Sequence, residues 1–242
     1  VAVPADLILS YRSRKPDLLP ASFWTVDNKR LAEEASVIVV SVQPRDFPAV
    51  DIAIEGKLAI SVMAGINLVT LSNHLGTDRL VRSLPNAAAQ VRQSYTPWVA
   101  SLKATDDDRA LARRIVGAWG EADELRSELD LDYFTGLTGS GPAFPALLAR
   151  AMARDAVVSG IDPKIAQKAA VAVLKGAGAL FQQNADAPED VVQRFIDYKG
   201  TTSAALEAMI AGNFEAAVSS GLKAALARSH LFASGEGNDD RS

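Results

Sequence analysis

The chain has 242 residues, 48% of them hydrophobic, and a net charge of −4 at pH 7. That allows one large domain or two ordinary ones, and it leaves no broad basic footprint for nucleic acid. Cysteine is absent, which excludes disulfides, a thiolate nucleophile and thiolate metal sites. The two histidines, His74 and His230, are far apart and lack metal-ligand spacing, so both read as surface residues and no metal site is expected. No apolar run approaches the ~18 residues of a membrane span, and no signal peptide is visible. A soluble, cytoplasmic protein is the expectation.

Val1-Ala2-Val3-Pro4 has no initiator Met and leads almost at once into a strand, which suggests an N-terminally truncated piece of a longer chain. Leu7-Ile8-Leu9 reads as a strand that ends in the basic turn Arg12-Ser13-Arg14-Lys15. Trp24-Thr25-Val26 is a second short extended piece, and Asp27-Asn28 caps a helix running to Ala35. Residues 36–42, SVIVVSV, form a continuous β-branched run, the pattern of a parallel strand buried on both faces. Residues 57–63 and 79–84 read as two further strands, with a helix between them capped by Asn67 and carrying Leu68, Leu71 and Leu75. Residues 98–102 read as an edge strand. Thr105 then caps a helix with Asp106, Asp107 and Asp108 in its first turn, where the helix dipole favours negative charge.

This alternation predicts an α/β, doubly wound, Rossmann-like sheet over residues 1–127, with ligands at the carboxyl ends of its strands. After residue 127 the chain becomes Ala-rich and helical, so residues 128–233 form a second, all-α domain and residues 234–242 a disordered polar tail. Gly139-Ser140-Gly141-Pro142-Ala143-Phe144 opens the longest apolar helical pattern. Pro142 suits a first helical turn and Ser140 can cap it. The stretch is either a capped helix with packing glycines or a place where a ligand approaches bare amides. Asp162-Pro163 opens a helix whose small residues Ala166, Ala170, Gly176 and Gly178 admit a close neighbour. Gly200-Thr201-Thr202 is a turn into a helix over 203–211, with Gly212 ending it and Asn213 capping the next.

Two clusters carry chemistry. In a Rossmann unit the end of the second strand meets the adenosine ribose, and basic residues there take the 2′-phosphate of NADP. Arg12, Ser13, Arg14 and Lys15 stand at that place with no carboxylate before Asp17. They are either a phosphate site or a solvated basic turn. Gly200, Thr201 and Thr202 offer amides and hydroxyls to a carboxylate, or they simply cap a helix. No strand–G-x-G-x-x-G–helix unit occurs in residues 1–60, so the first strand and pyrophosphate loop of such a domain are missing. NADPH binding by these 242 residues alone is therefore expected to be weak.

The ordered set Thr25-Val26-Asp27-Asn28, Val42-Gln43-Pro44, Ser61-Val62-Met63-Ala64-Gly65, Arg82-Ser83-Leu84-Pro85-Asn86, GSGPAF, Gly200-Thr201-Thr202 and Asn213-Phe214 resembles the signature regions of pyrroline-5-carboxylate reductases. The resemblance implies reduction of the cyclic imine 1-pyrroline-5-carboxylate to L-proline with NADPH, NADH also being accepted. It places Arg12, Ser13, Arg14 and Lys15 at the 2′-phosphate and Asn28 on the adenosine side, with Val42, Gln43, Pro44 and Ala64 bordering the nicotinamide half. It puts Glu128, Ser140, Gly200, Thr201 and Thr202 at the substrate, Thr202 hydrogen-bonding the imine nitrogen. It also implies a homodimer through the helical domain, open to extension into a ring of dimers.

The sequence departs from the family's usual pattern at Gln43 (usually Lys), Tyr198-Lys199 (usually Pro-Gly) and Phe144 (usually Tyr). Lys199 is expected not to copy a glycine's backbone freedom. A shifted cyclic-imine substrate is one alternative, and a non-catalytic dimeric relative is another. A third is a dehydrogenase whose catalytic lysine would be Lys168 or Lys175 of the helical domain.

Overall fold

A computed structural model describes residues 6–17, 19, 22–184 and 186–234, with side chains 232–234 omitted. The chain divides into two compact units, residues 1–140 with 224–242, and residues 141–223. The expectations for Val1–Pro4 and for the tail beyond residue 234 lie outside the described residues.

The first unit begins with two short parallel strands, β1 (Ile8–Ser10) and β2 (Phe23–Thr25). The second strand sits one residue earlier than its sequence pattern indicates, because Val26 is 63% exposed and leads into the Asp27 cap. Asp27 accepts the amides of Lys29 and Arg30 and starts α1 (Asn28–Glu34) as expected. A four-stranded sheet follows in the order β3 (Val37–Val40), β4 (Leu58–Ser61), β5 (Leu80–Ser83) and β7 (Trp98–Ala100), with β7 antiparallel to β5. β4 and β5 are buried throughout. β3 departs from expectation: it is shorter than residues 36–42 and Val39 is 45% exposed, so it is not buried on both faces.

Asn67 caps α2 (Leu68–Leu75), whose Leu71 and Leu75 are fully buried against Ile38, Val40 and Leu80. The opposite sheet face packs Leu58, Ile60, Val81 and Trp98 onto Ala112 and Val116 of α3 (Asp106–Val116). Thr105 and Asp108 form a reciprocal capping box at the start of α3. β7 ends the sheet as an edge, but it stops at Ala100; Trp98 is fully buried while Leu102 is fully exposed. β6 (Ser94–Tyr95) and β8 (Gly120–Glu121) make a small parallel pair. Two 3₁₀ turns, Pro44–Ala49 and Ala87–Val91, were not apparent in the sequence pattern. His74 is not a free surface residue: its Nε2 lies 2.7 Å from the Val50 carbonyl and its ring tilts against Phe47.

α4 (Glu128–Phe134) packs with the first unit, because Leu131 is buried with Leu84 and Val99. It runs on into a π-helical turn, Thr135–Gly139.

The second unit is helical: α5 (Ala143–Val158), α6 (Pro163–Asn184), α7 (Pro188–Asp197), α8 (Thr201–Ala211) and the first half of α9 (Phe214–Ser234). Gly160 takes a φ of 89°, and Asp162 accepts the amides of Lys164 and Ile165 to start α6. Ala166 and Ala170 are buried, but a side chain at Gly176 or Gly178 would meet open space among the described residues. Much of the apolar surface here is uncovered, including Leu147, Val173, Leu180, Phe195 and Ile210.

Candidate active site

The first unit collects the expected cofactor residues at the carboxyl ends of its strands. Arg12, Ser13, Arg14 and Lys15 follow β1 directly and are all exposed. The Arg12 Nη1 lies 3.4 Å from Asp46 Oδ1 in the 3₁₀ turn after β3, while Arg14 and Lys15 form no ion pair among the described residues. Two unengaged cations beside a hydroxyl fit a phosphomonoester by charge and by donor geometry. Asn28 stands at the first position of α1 and accepts the Ser10 hydroxyl at 2.5 Å, tying the end of β1 to the helix start. Val42 and Gln43 are exposed just past β3, and Pro44 opens the 3₁₀ turn for which Gln43 supplies no side-chain cap. Ala64 follows β4 and packs against the Leu84–Val99–Leu131 cluster.

A polar knot supports this end of the sheet. Arg82 is buried in the middle of β5, its side chain only 2% exposed. Its Nη1 donates to Glu128 Oε1 at 2.5 Å and its Nη2 to Asp132 Oδ1 at 3.1 Å. The same Glu128 oxygen accepts the Leu68 amide at 2.9 Å, so a carboxylate faces the N-terminus of α2 where the dipole favours it. Glu128 therefore carries a structural duty that its spacing alone did not suggest. The signal was an arginine inside the buried run LVRS together with carboxylates at i and i+4 of a helix.

Asn86 is a second residue whose part was not foreseen. Its side chain accepts the Ala88 amide and donates to the Thr138 carbonyl at 3.0 Å, fastening the loop after β5 to the π-helical turn. The Ser140 expectation needs correction. Ser140 does not cap α5, which has Pro142 at its N-cap and no side-chain cap. Its amide closes the π turn on the Thr135 carbonyl, and its hydroxyl donates to that same carbonyl. A side chain at Gly139 would meet only the Phe134 carbonyl, at an ordinary 3.8 Å, so packing does not demand that glycine.

In the second unit Gly200, Thr201 and Thr202 form the start of α8. The helix begins at Thr201, two residues earlier than the pattern suggests. Its N-cap is Gly200, with no side-chain cap, so neither threonine serves as the capping residue. Thr201 and Thr202 are exposed, whereas Ser203 is buried and donates to Ile196 O and Glu207 Oε1. Ser203 thus anchors the helix to α7 and leaves the first-turn amides and two hydroxyls open. This is the arrangement that receives a carboxylate. Lys199, just before, holds a left-handed φ of 52°, so the expectation that it could not adopt a glycine-type conformation is overturned. The surrounding turn imposes that geometry at a cost of about 1–2 kcal/mol. A side chain at Gly200 would press on the Tyr198 ring at 3.1 Å.

The fold and these clusters define an α/β dinucleotide-type unit joined to a helical unit. The profile described as pyrroline-5-carboxylate reductase dimerisation matches residues 128–231. The pyrroline-5-carboxylate reductase of Thermus thermophilus is 34% identical over 205 residues, spanning 84% of this chain and 77% of the relative. That of Synechocystis is 30% identical over 207 residues, with the same coverage. Among solved structures, the pyrroline-5-carboxylate reductase of Coxiella burnetii superposes with a TM-score of 0.85 at 25% identity, covering 93% of this chain and 87% of that one. The chain belongs to the pyrroline-5-carboxylate reductase family. Among the described residues no helix is long and apolar enough to cross a membrane.

Proposed function

We propose that the protein is an NAD(P)H-dependent oxidoreductase of proline biosynthesis that reduces 1-pyrroline-5-carboxylate to L-proline. Relatives bearing that enzyme's name at 30–34% identity across most of the chain support the reading. The single observation that carries it beyond family membership is the uncapped start of α8, where open amides and the Thr201 and Thr202 hydroxyls stand ready for a small carboxylate.

The chain's own residues do positioning and electrostatics. The first-turn amides of α8 hold the substrate carboxylate. The Thr202 hydroxyl hydrogen-bonds the ring nitrogen and supports the charge change there as the C=N bond becomes C–N. Arg12, Ser13, Arg14 and Lys15 hold the adenosine 2′-phosphate, which favours NADPH over NADH. Bound NADPH supplies the hydride that reduces the imine carbon, and the nitrogen keeps or gains one proton. Glu128, through Arg82 and the Leu68 amide, keeps the sheet end and α2 in register.

The exposed apolar residues of the helical unit support a homodimer through that unit, as the matched dimerisation profile describes; a ring of dimers is a further arrangement of the same kind. Steady-state oxidation of NADPH by the full-length protein with pyrroline-5-carboxylate tests the enzymatic reading. Absence of turnover with this and related cyclic imines refutes it. Light scattering tests the assembly, with twice the chain mass expected.

A further inference from the structure

The short helix α1 has no local means of ending. It spans seven residues, too few to be stable alone in water. Its last turn carries Glu33 and Glu34 and no basic residue, the wrong sign for the negative pole of a helix dipole. Ala35 ends it in an extended conformation, with φ −78° and ψ 140°, and Ser36 follows where a closing glycine commonly stands. The Ala35 amide takes the Leu31 carbonyl, so the carbonyls beyond Leu31 need donors from outside the helix.

Lys57 supplies the missing cap from 22 to 25 residues away. It stands just before β4, and its Nζ donates to the carbonyls of Ala32, Glu33 and Ala35 at 2.6, 2.8 and 2.9 Å. All three ammonium protons are thereby engaged by the end of one helix. The lysine's own backbone is fixed: its amide donates to Ile54 O at 3.0 Å and its carbonyl accepts the Thr77 hydroxyl at 2.8 Å. The other end of α1 meets the cofactor side. Asn28 accepts the Ser10 hydroxyl at 2.5 Å, and Ser10 ends β1 two residues before Arg12. Arg30 lies over the Phe23 ring of β2 at 5.0 Å, and Ala32 is buried in the core. α1 is thus a rod of roughly 10 Å between Lys57 and the turn that carries Arg12, Ser13, Arg14 and Lys15.

We infer that Lys57 is a positioning residue for the 2′-phosphate end of NADPH, acting through α1. Its three bonds fix the helix along its axis, Asn28 fixes Ser10, and the basic turn keeps its place beside the sheet. A side chain without donors at 57 leaves three carbonyls unpaired, and α1 frays from that end. The assignment rests on reading the basic turn as the 2′-phosphate site. Loss of the cap therefore falls on NADPH and spares NADH, which carries no phosphate there.

The test compares Lys57→Met and Lys57→Arg with the unchanged full-length protein. Methionine keeps the apolar stem without the donors; arginine keeps donors and charge. In Lys57→Met, KM for NADPH is expected to rise about fivefold, with kcat and KM for NADH within about twofold. Hydrogen exchange at residues 32–35 is expected to quicken about tenfold while β4 and β5 stay protected. Lys57→Arg is expected to restore most of both. An unchanged KM for NADPH in Lys57→Met overturns the assignment. So does an equal loss with both cofactors or in kcat, the mark of general destabilisation, and so does an arginine that restores neither readout. Absence of turnover by the unchanged protein refutes the enzymatic reading instead; the NADPH dissociation constant from fluorescence titration then replaces KM, with the same outcomes. An unchanged protein that binds no NADPH overturns the assignment as well.

Discussion

Asp108 gives the most quantitative test of how the first unit is held together. Its side chain is 3% exposed and receives two hydrogen bonds from Arg79, at 2.6 and 2.9 Å, plus the Thr105 amide at 3.0 Å. Arg79 is the largest cause of a carboxyl pKa lowered from 3.8 to about 2, with the Thr105 bonds adding to it and burial opposing. A lowered folded pKa means that the unfolded chain binds the proton more readily. The stabilisation is complete above pH 3.8 and disappears as pH falls through about 2. The shift corresponds to roughly 2.5 kcal/mol. Arg79 is 40% exposed, so solvent screening reduces the realised figure to about 1–2 kcal/mol. Asp108→Asn keeps the size and removes the charge. Urea unfolding followed by fluorescence reports this unit, because Trp24, Trp98 and Trp119 all lie in it. We expect the variant to lose about 1–2 kcal/mol at pH 7 and about half of that at pH 3. A deficit that is unchanged or larger at pH 3 refutes the electrostatic account.

Four further outcomes follow from particular contacts. Lys199→Gly relieves the left-handed φ of 52° and is expected to raise stability by about 0.5–1 kcal/mol in thermal melts. Thr202→Val removes only the hydroxyl and should lower kcat/KM about tenfold or more, with Thr202→Ser restoring most of it. The double variant Arg14→Ala, Lys15→Ala should raise KM for NADPH about tenfold and leave KM for NADH nearly unchanged. Glu128→Gln weakens the bonds to Arg82 and the Leu68 amide, and it is expected to cost about 1–3 kcal/mol in urea unfolding.

Elements whose signal is local were legible in the sequence. Asp27, Asn67, Thr105 and Asp162 all cap the helices assigned to them, because a side-chain oxygen two or three residues before an amide needs no distant partner. The β4 and β5 runs read correctly because helices cover both of their faces. SVIVVSV carried the same pattern, yet β3 is exposed at Val39. The run specifies burial on both faces, while burial itself depends on what occupies the neighbouring place in the sheet. The apolar stripes of α5, α6 and α7 are likewise real as patterns, but much of each stripe is uncovered among the described residues.

The site shows a different limit. The basic turn and Gly200-Thr201-Thr202 were readable as chemistry because their residue types stand together in sequence. The supports were not: Arg82, Glu128 and Asp132 meet across 46 and 50 residues, and Asn86 reaches Thr138 across 52. The Gly139–Phe144 stretch shows how this misleads. Ser140 beside Pro142 spells a helix cap, yet the hydroxyl turns back to Thr135, whose carbonyl also accepts the Ser140 amide in the π turn's own hydrogen bond. The local rule fails at the segment that Asn86 fastens to the sheet end. A departure from local preference held in place by long-range bonds is what a positioned wall requires, and it makes the Thr135–Ser140 turn a supporting element rather than a simple helix start.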